Sequence, residues 1–340
     1  MAMTEQHRIL AGDCIDMMRT LPDQSVQTCI TSPPYFGLRD YGVDGQIGLE
    51  ETPAEFIARL VEVFREVRRV LRDDGTVWVN MGDSYAGSWG AQGRPQGDGQ
   101  MSGRSVTSAR QINEHPRFKS GTGVRGREMG MKSKDLMGMP WRLAFALQDD
   151  GWYLRQDIIW NKPNPMPESV RDRCTKSHEY IFLLSKSKKY YFDQAAIAED
   201  ALEPRGPGNV SPIEALPGER ATENSNIRGS LHKIGPRFTR NKRSVWTVAT
   251  HSFKGAHFAT FPPDLIRPCV LAGSPRGGVV LDPFGGAGTT SLVSMQEGRR
   301  SIICELNPEY AAMARRRIDA AWLDGAAQMD VFHDAKAVSG

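Results

Sequence analysis

An α/β fold built on a mostly parallel sheet is what this sequence predicts, and three observations carry the prediction. Apolar, β-branched runs alternate with stretches of helical spacing, the rhythm of strand–helix–strand units. One such run, residues 26–30, ends abruptly in Thr31-Ser32-Pro33-Pro34-Tyr35. Another, residues 277–281, passes through a glycine-rich turn directly into a helical pattern.

Taken in order, residues 8–11 read as a short strand, followed by Gly12-Asp13 and a brief helix over 14–21. Asp13 then stands at a strand end, either as an acceptor for a ligand or simply as the N-cap of that helix. The run 26–30 must stop because Pro34 lacks a backbone donor and each proline drives its predecessor out of the α region. Thr52-Pro53-Ala54-Glu55 reads as a capping box with proline at the first helical position. Phe56, Leu60, Val63, Phe64, Val67, Val70 and Leu71 follow at helical spacing, a face made for packing on a sheet. Asp73-Asp74-Gly75 is expected to end this helix, and residues 76–80 to form a buried strand. The rhythm resumes with a helix over 140–150 and strands over 157–161 and 179–185. Tyr190-Tyr191-Phe192 then follow at a spacing that suits a hairpin at the sheet edge. A helix over 264–272, the strand 277–281, a helix ended near Gly298, a strand over 301–304 and a last helix to about residue 322 complete the pattern.

Two stretches break it. Residues 84–135 are rich in glycine, serine and basic side chains, the composition of a solvated insertion or of a loop that orders around DNA. Residues 200–243 carry Arg228, His232, Lys233, Arg237, Arg240, Lys242 and Arg243, with Phe238 interleaved. Cations at this density fit phosphate contacts, and a few would reach guanine edges.

The 340-residue chain has a formal net charge of only +3, so a nucleic-acid surface must be a local patch. No run approaches the roughly 18 apolar residues of a membrane span. The five cysteines are scattered without C-x-x-C spacing, which argues against a zinc site or disulfide framework and for a reducing cytoplasm. Pro268-Cys269 supplies the dipeptide that attack on a ring carbon would need. Leu265, Ile266, Val270 and Leu271 surround it at helical spacing, however, and mark Cys269 as core.

The Ser32–Tyr35 stretch offers a hydroxyl, a proline carbonyl and an aromatic ring. A planar base with an exocyclic amino group needs that set: acceptors for two N–H bonds and a face to stack on. The plain alternative is an ordinary proline turn. Trp160-Asn161-Lys162 at a strand end suits stacking on an extruded base, although Trp160 would serve equally as core. In Asp282-Pro283-Phe284-Gly285-Gly286-Ala287-Gly288-Thr289-Thr290, glycines let a ligand approach the backbone and the helix N-terminus attracts its anionic part. An acid about 20 residues on takes ribose hydroxyls, and Glu305 stands there. There is no Gly-Lys-Ser/Thr, and threonine replaces the third glycine of the dinucleotide fingerprint. A nucleoside with a carboxylate-bearing tail, S-adenosylmethionine, therefore fits better than NAD.

Together with Phe258-Ala259-Thr260-Phe261-Pro262, these motifs resemble the DNA amino-methyltransferases. The target-base motif precedes the cofactor motif, as in their permuted β group. The resemblance implies a doubly wound, mostly parallel seven-stranded Rossmann-like sheet with an antiparallel edge hairpin. It implies S-adenosylmethionine as methyl donor and double-stranded DNA as partner. Carried over residue by residue, Ser32, Pro33, Pro34 and Tyr35 would be catalytic. Phe284, Gly286, Gly288 and Thr289 would line the methionine end of the cofactor, with Asp282 orienting it. Glu305 would hold the ribose and Asp13 the adenine amino group, while His257 and Phe261 flank the cofactor. Trp160, Lys162, Arg228, Lys233, Arg237, Arg240 and Arg243 would meet DNA. The catalytic core would comprise residues 1–83, 136–199 and 253–323, with 84–135 an insertion, 200–252 the target-recognition region and 324–340 a tail. Serine at the first motif position, where many adenine enzymes carry aspartate or asparagine, favours N4 of cytosine, with N6 of adenine the alternative. A nicotinamide oxidoreductase would leave the Ser-Pro-Pro-Tyr motif unexplained, and a non-catalytic DNA-binding module would leave both chemical motifs without a use. A cognate restriction endonuclease and the oligomeric state stay open.

Overall fold

Strand β2 (Val26–Thr31) lies at the centre of an eight-stranded sheet in the computed structural model, which describes residues 3–37, 42–86, 131–132, 134–205, 237–250 and 261–337. The chain packs as two units, Met1–Phe192 with Ser244–Gly340, and Asp193–Arg243. In the larger unit the sheet order is β1 (His7–Ala11), β10 (Arg300–Glu305), β9 (Val279–Asp282), β2, β3 (Leu71–Met81), β5 (His178–Ser185), β4 (Tyr153–Asn161) and β8 (Val245–Thr247). Only β5 runs against the others. The smaller unit holds an antiparallel pair, β6 (Glu199–Arg205) and β7 (Arg237–Arg240).

Alternate residues of the central strands enter two different layers, as the period of a strand requires. Cys29, Val77, Val79, Leu281, Ile302 and Cys304 pack in one cluster with α2 (Cys14–Arg19), α3 (Pro53–Val70) and α4 (Met139–Asp149). Their neighbours Ile30, Trp78, Val280 and Ile303 are buried toward the opposite face. There α5 (Pro263–Gly273), α6 (Thr289–Gln296) and α7 (Pro308–Ala337) lie against the strands. A Cβ on Gly273 would come within 2.9 Å of the Trp78 indole nitrogen, so glycine is what seats α5 this close to the sheet. The predicted capping box is present: the Thr52 hydroxyl accepts from the Glu55 N–H, and the Glu55 carboxylate accepts from the Thr52 N–H.

Four local expectations are corrected. Among the described residues the sheet has eight strands rather than seven, because Val245–Thr247 pairs outside the β4–β5 hairpin. Asp73-Asp74-Gly75 does not end α3: the backbone is already extended at Leu71, which pairs with Val26. The next pair is Thr28 with Thr76, so those residues are an irregularity within β3, absorbed between two correct pairings. Tyr190-Tyr191-Phe192 form no strand; Tyr191 donates its N–H to the Asp74 carbonyl, and Phe192 stacks on Trp78 at 6.2 Å. The last helix continues to Ala337. No described helix is long and apolar enough to cross a membrane.

His7, 1 % exposed, places Nδ1 2.9 Å from the Ser301 hydroxyl. Burial, aided by the nearby Arg315, lowers its pKa to about 4. An unfolded chain takes up that proton near pH 6.5, so stability present above pH 6.5 is lost as the pH falls toward 4. The loss is on the order of 3 kcal/mol. Urea unfolding at pH 7.5 and pH 4.5 should show it, and a His7→Gln variant should show a correspondingly flatter dependence.

Candidate active site

Strands β1, β10, β9 and β2 are mutually parallel, so their carboxyl ends share one rim of the sheet, the usual seat of ligands in such folds. A cleft of about 190 Å³ opens there. Gly12, Asp13, Ser32–Tyr35, residues 282–287, Thr289 and Glu305 line it, with Phe261 at one wall. Two motifs about 250 residues apart in the chain thus meet in one cavity.

Asp282 joins them. Its side chain is buried, and three donors occupy its oxygens: the Thr31 hydroxyl at 2.6 Å, the Thr290 hydroxyl at 2.6 Å and the Phe284 N–H at 3.0 Å. Burial raises the pKa of this carboxyl and the three hydrogen bonds oppose the rise. Thr31 is the residue before Ser32, so one carboxylate ties the end of β2 to both ends of the glycine turn.

Within that turn each glycine has its own reason. A Cβ on Gly285 would lie 2.7 Å from the Ile303 Cβ, so the position is closed by packing. Gly286 has φ of +50°, and a Cβ there would meet nothing within 4 Å. Gly288, the N-cap of α6, has φ of +76° and faces Ala314 at 3.0 Å. Arg317 braces the turn by donating to the Ala287 carbonyl at 3.1 Å and to the Thr289 hydroxyl at 2.9 Å. Phe284 is half-buried at the cleft wall.

Glu305 ends β10 opposite Ala11, and its carbonyl accepts from the Gly12 N–H at 2.9 Å. Its carboxylate accepts from the Gly286 N–H at 2.8 Å and the Asn307 N–H at 2.9 Å. Burial pushes its pKa up, against those two donors. Asp13 caps α2 by accepting from Ile15 and Asp16 at 2.9 and 3.2 Å, while its other oxygen lies 3.8 Å from Arg59. The cap and the cleft position therefore coexist in one side chain.

Beside the cleft, Pro33 is buried, while Ser32, Pro34 and Tyr35 are partly open. The Tyr35 phenol donates to Glu179 at 2.9 Å; the Asn80 amide donates to the same oxygen at 3.2 Å, and Lys162 pairs with the other. Burial and the Glu179 charge raise the Tyr35 pKa well above its ordinary value. Trp160 is 4 % exposed; its indole donates to the Val248 carbonyl at 2.8 Å, and the Lys162 ammonium sits 4.2 Å from its ring centre. Both residues are thus engaged inside the sheet's end. Glu179 and Asn80 carried no local pattern marking them as site residues.

In the smaller unit, Arg240, Lys242 and Arg243 surround Glu199 at 3.5, 3.5 and 3.4 Å. Arg237 lies in β7. Arg228, Lys233 and His257 lie outside the described residues, as do 87–130 of the basic insertion. Cys269 is 1 % exposed within α5.

A family model described as DNA methylase matches residues 26–316. The type II methyltransferase M.Cfr9I of Citrobacter freundii is 46% identical over 310 residues, covering 91% of this chain and 87% of that protein. The type II methyltransferase M.SmaI of Serratia marcescens is 46% identical over 311 residues, covering 92% and 90%. Among solved structures, the PvuII cytosine-N4-specific DNA methyltransferase superposes with a TM-score of 0.58 at 17% identity, over 93% of this chain and 91% of that one. A putative DNA modification methylase of Thermus thermophilus, solved with S-adenosyl-L-methionine, gives 0.53 at 23% identity over 93% and 95%. At such identities these two likenesses concern the fold, whereas the family match spans both motifs that line the cleft. The chain belongs to the DNA methylase family of N6- and N4-methyltransferases.

Proposed function

We propose that this chain methylates the exocyclic N4 amino group of cytosine in double-stranded DNA, as the modification partner of a type II restriction endonuclease. The observation that carries the reading is the meeting of the Ser32–Tyr35 turn and the Gly285–Gly288 turn in one cleft, tied by the Thr31–Asp282 hydrogen bond. The residues present fit S-adenosylmethionine: open space above Gly286, an apolar wall at Phe284, and a partly buried carboxylate at Glu305. When bound, that cofactor supplies an electrophilic methyl group. Phe284, Gly286, Gly288 and Thr289 would hold its methionine end, Glu305 its ribose and Asp13 its adenine, with His257 and Phe261 flanking it.

An exocyclic amine is a poor nucleophile because its lone pair is spread into the ring. The Ser32 hydroxyl and the Pro33 carbonyl would accept its two N–H bonds and draw the nitrogen toward tetrahedral geometry. Acceptors fixed in advance for the transition state lower the barrier without reorganising. Extruding the base costs a few kcal/mol; stacking on Tyr35 and phosphate contacts from Arg237, Arg240 and Arg243 would offset it. Serine at position 32 supports cytosine as the target. Methylated genomic DNA digested to nucleosides and weighed by mass spectrometry should yield N4-methylcytosine. N6-methyladenine would overturn the choice of base and leave amino methylation standing.

A further inference from the structure

Met166 is 85 % exposed, the most open large apolar side chain among the described residues. A single apolar residue in water needs no function; the setting is what distinguishes this one. It stands in the connection 162–177 between β4 and β5. Strand β5 runs against both β3 and β4, and β3 runs with β2. The end of β4 at Asn161 therefore shares the sheet rim on which the cleft opens. Lys162, at the root of the connection, pairs with Glu179, which also accepts from the phenol of the cleft residue Tyr35 at 2.9 Å. Met166 follows Lys162 after three residues, within about 14 Å of chain.

The connection has no helix or strand, yet it is held along its length. Asn164 and Thr250 are joined twice: the Asn164 amide donates to the Thr250 carbonyl at 3.2 Å, and its oxygen accepts from the Thr250 N–H at 2.9 Å. Glu168 accepts from the Arg173 guanidinium at 2.6 Å and from the Lys176 N–H at 3.3 Å. The Lys176 ammonium donates to the Asp83 carbonyl at 2.9 Å. Pro165 and Pro167 fix φ on either side of Met166. An apolar side chain is thus presented to solvent on a backbone that has little freedom left to lose when a partner covers it. Lys162, Arg171, Arg173 and Lys176 outnumber Glu168 and Asp172 in the same connection, a local charge suited to phosphates.

We infer that Met166 is a wedge: it enters the base stack of double-stranded DNA and helps extrude the target base toward the cleft. This rests on the proposed function, in which the methylated base is taken from a duplex. A stacked base cannot present its amine to a protein cleft, and the gap left by its departure exposes apolar base faces to water. An apolar side chain inserted at the step covers those faces and keeps the stack open. Methionine suits the task, because an unbranched, polarisable chain adapts to a gap of irregular shape.

The test uses the full-length protein and S-adenosylmethionine bearing a tritiated methyl group. Positions that the wild type methylates in genomic DNA are located by sequencing. Short synthetic duplexes carrying that site are then made in two forms, with the target base paired or facing an abasic position. On the paired duplex Met166→Ala should lower kcat/KM about tenfold, the effect of leaving one methionine unburied. A base without a partner is extruded at little cost, so on the abasic duplex the same variant should stay within about twofold of the wild type. Met166→Leu, close in volume and equally apolar, should match the wild type on both. Cofactor affinity by calorimetry and the urea midpoint should not change in either variant, because the side chain lies outside the cleft and largely in water. A wild-type rate for Met166→Ala on the paired duplex, or equal losses on the two duplexes, would overturn the inference and leave the proposed function intact. DNA left unlabelled by the wild type would overturn both.

Discussion

Asp282→Ala is expected to unfold at markedly lower denaturant than the parent and to lose S-adenosylmethionine binding. The substitution strands two hydroxyls and one backbone N–H in an interior from which water is excluded. Each unpaired group costs about 1–3 kcal/mol; because the two hydroxyls can rotate toward other acceptors, a total toward the low end, about 3–5 kcal/mol, is expected, large against the margin of an ordinary domain. Asp282→Asn should be milder, at about 1–2 kcal/mol. One amide oxygen still accepts, and the threonine hydroxyls can rotate to meet the amide N–H groups. Thr31→Val is the sharper probe of function. It removes only the bond between β2 and the glycine turn, and Asp282 keeps its other two donors. Little stability should go, yet kcat should fall because Ser32 is no longer held against the cleft. Urea titration, calorimetry and methyl incorporation on the three variants give the ranking, and equal damage from all three would refute it.

Gly285→Ala and Gly286→Ala are expected to fail for opposite reasons, although the residues are adjacent. At 285 the new methyl would sit 2.7 Å from the Ile303 Cβ, an overpacked contact costing about 1–3 kcal/mol. Stability should drop, and cofactor affinity only as far as the turn is displaced. At 286 the methyl enters open space, and the penalty is the left-handed backbone alone, about 1 kcal/mol. There the fold should survive while cofactor affinity falls tenfold or more, since the methyl would occupy the volume assigned to the ligand. Calorimetry beside thermal unfolding separates the two. Unchanged affinity in Gly286→Ala would remove that residue from the binding surface.

What could be read in the sequence were the places where the backbone is chemically constrained. Prolines at 33 and 34, glycines at 285, 286 and 288, and the Thr52/Glu55 box each restrict φ, remove a donor or add an acceptor locally, so a short window suffices. Residues whose meaning depends on distant partners were not legible. Glu179 stands at the start of an apolar strand with nothing nearby to mark it; its partner Tyr35 is 144 residues away. Strand β8 is three residues long, too short for any period to register. Asp73-Asp74-Gly75 has the composition of a helix stop, and only its neighbours' pairing with β2 reveals an irregular strand. For Asp282, Thr290 and Phe284 lie in the same turn, but its third donor, Thr31, is 251 residues away and leaves no mark on the local sequence.

The 251-residue separation between Thr31 and Asp282 bears on how the protein is made. During synthesis β2 leaves the ribosome long before β9, the neighbour that completes its free side. At about 5–20 residues per second the delay is roughly 12–50 s. Throughout that interval a nascent chain carries an unpaired apolar strand edge, the kind of surface on which chaperones act and misassembly begins. Truncation anywhere before Val279 should therefore yield insoluble product rather than a half-active fragment, and co-expressing the missing carboxyl-terminal piece should restore solubility.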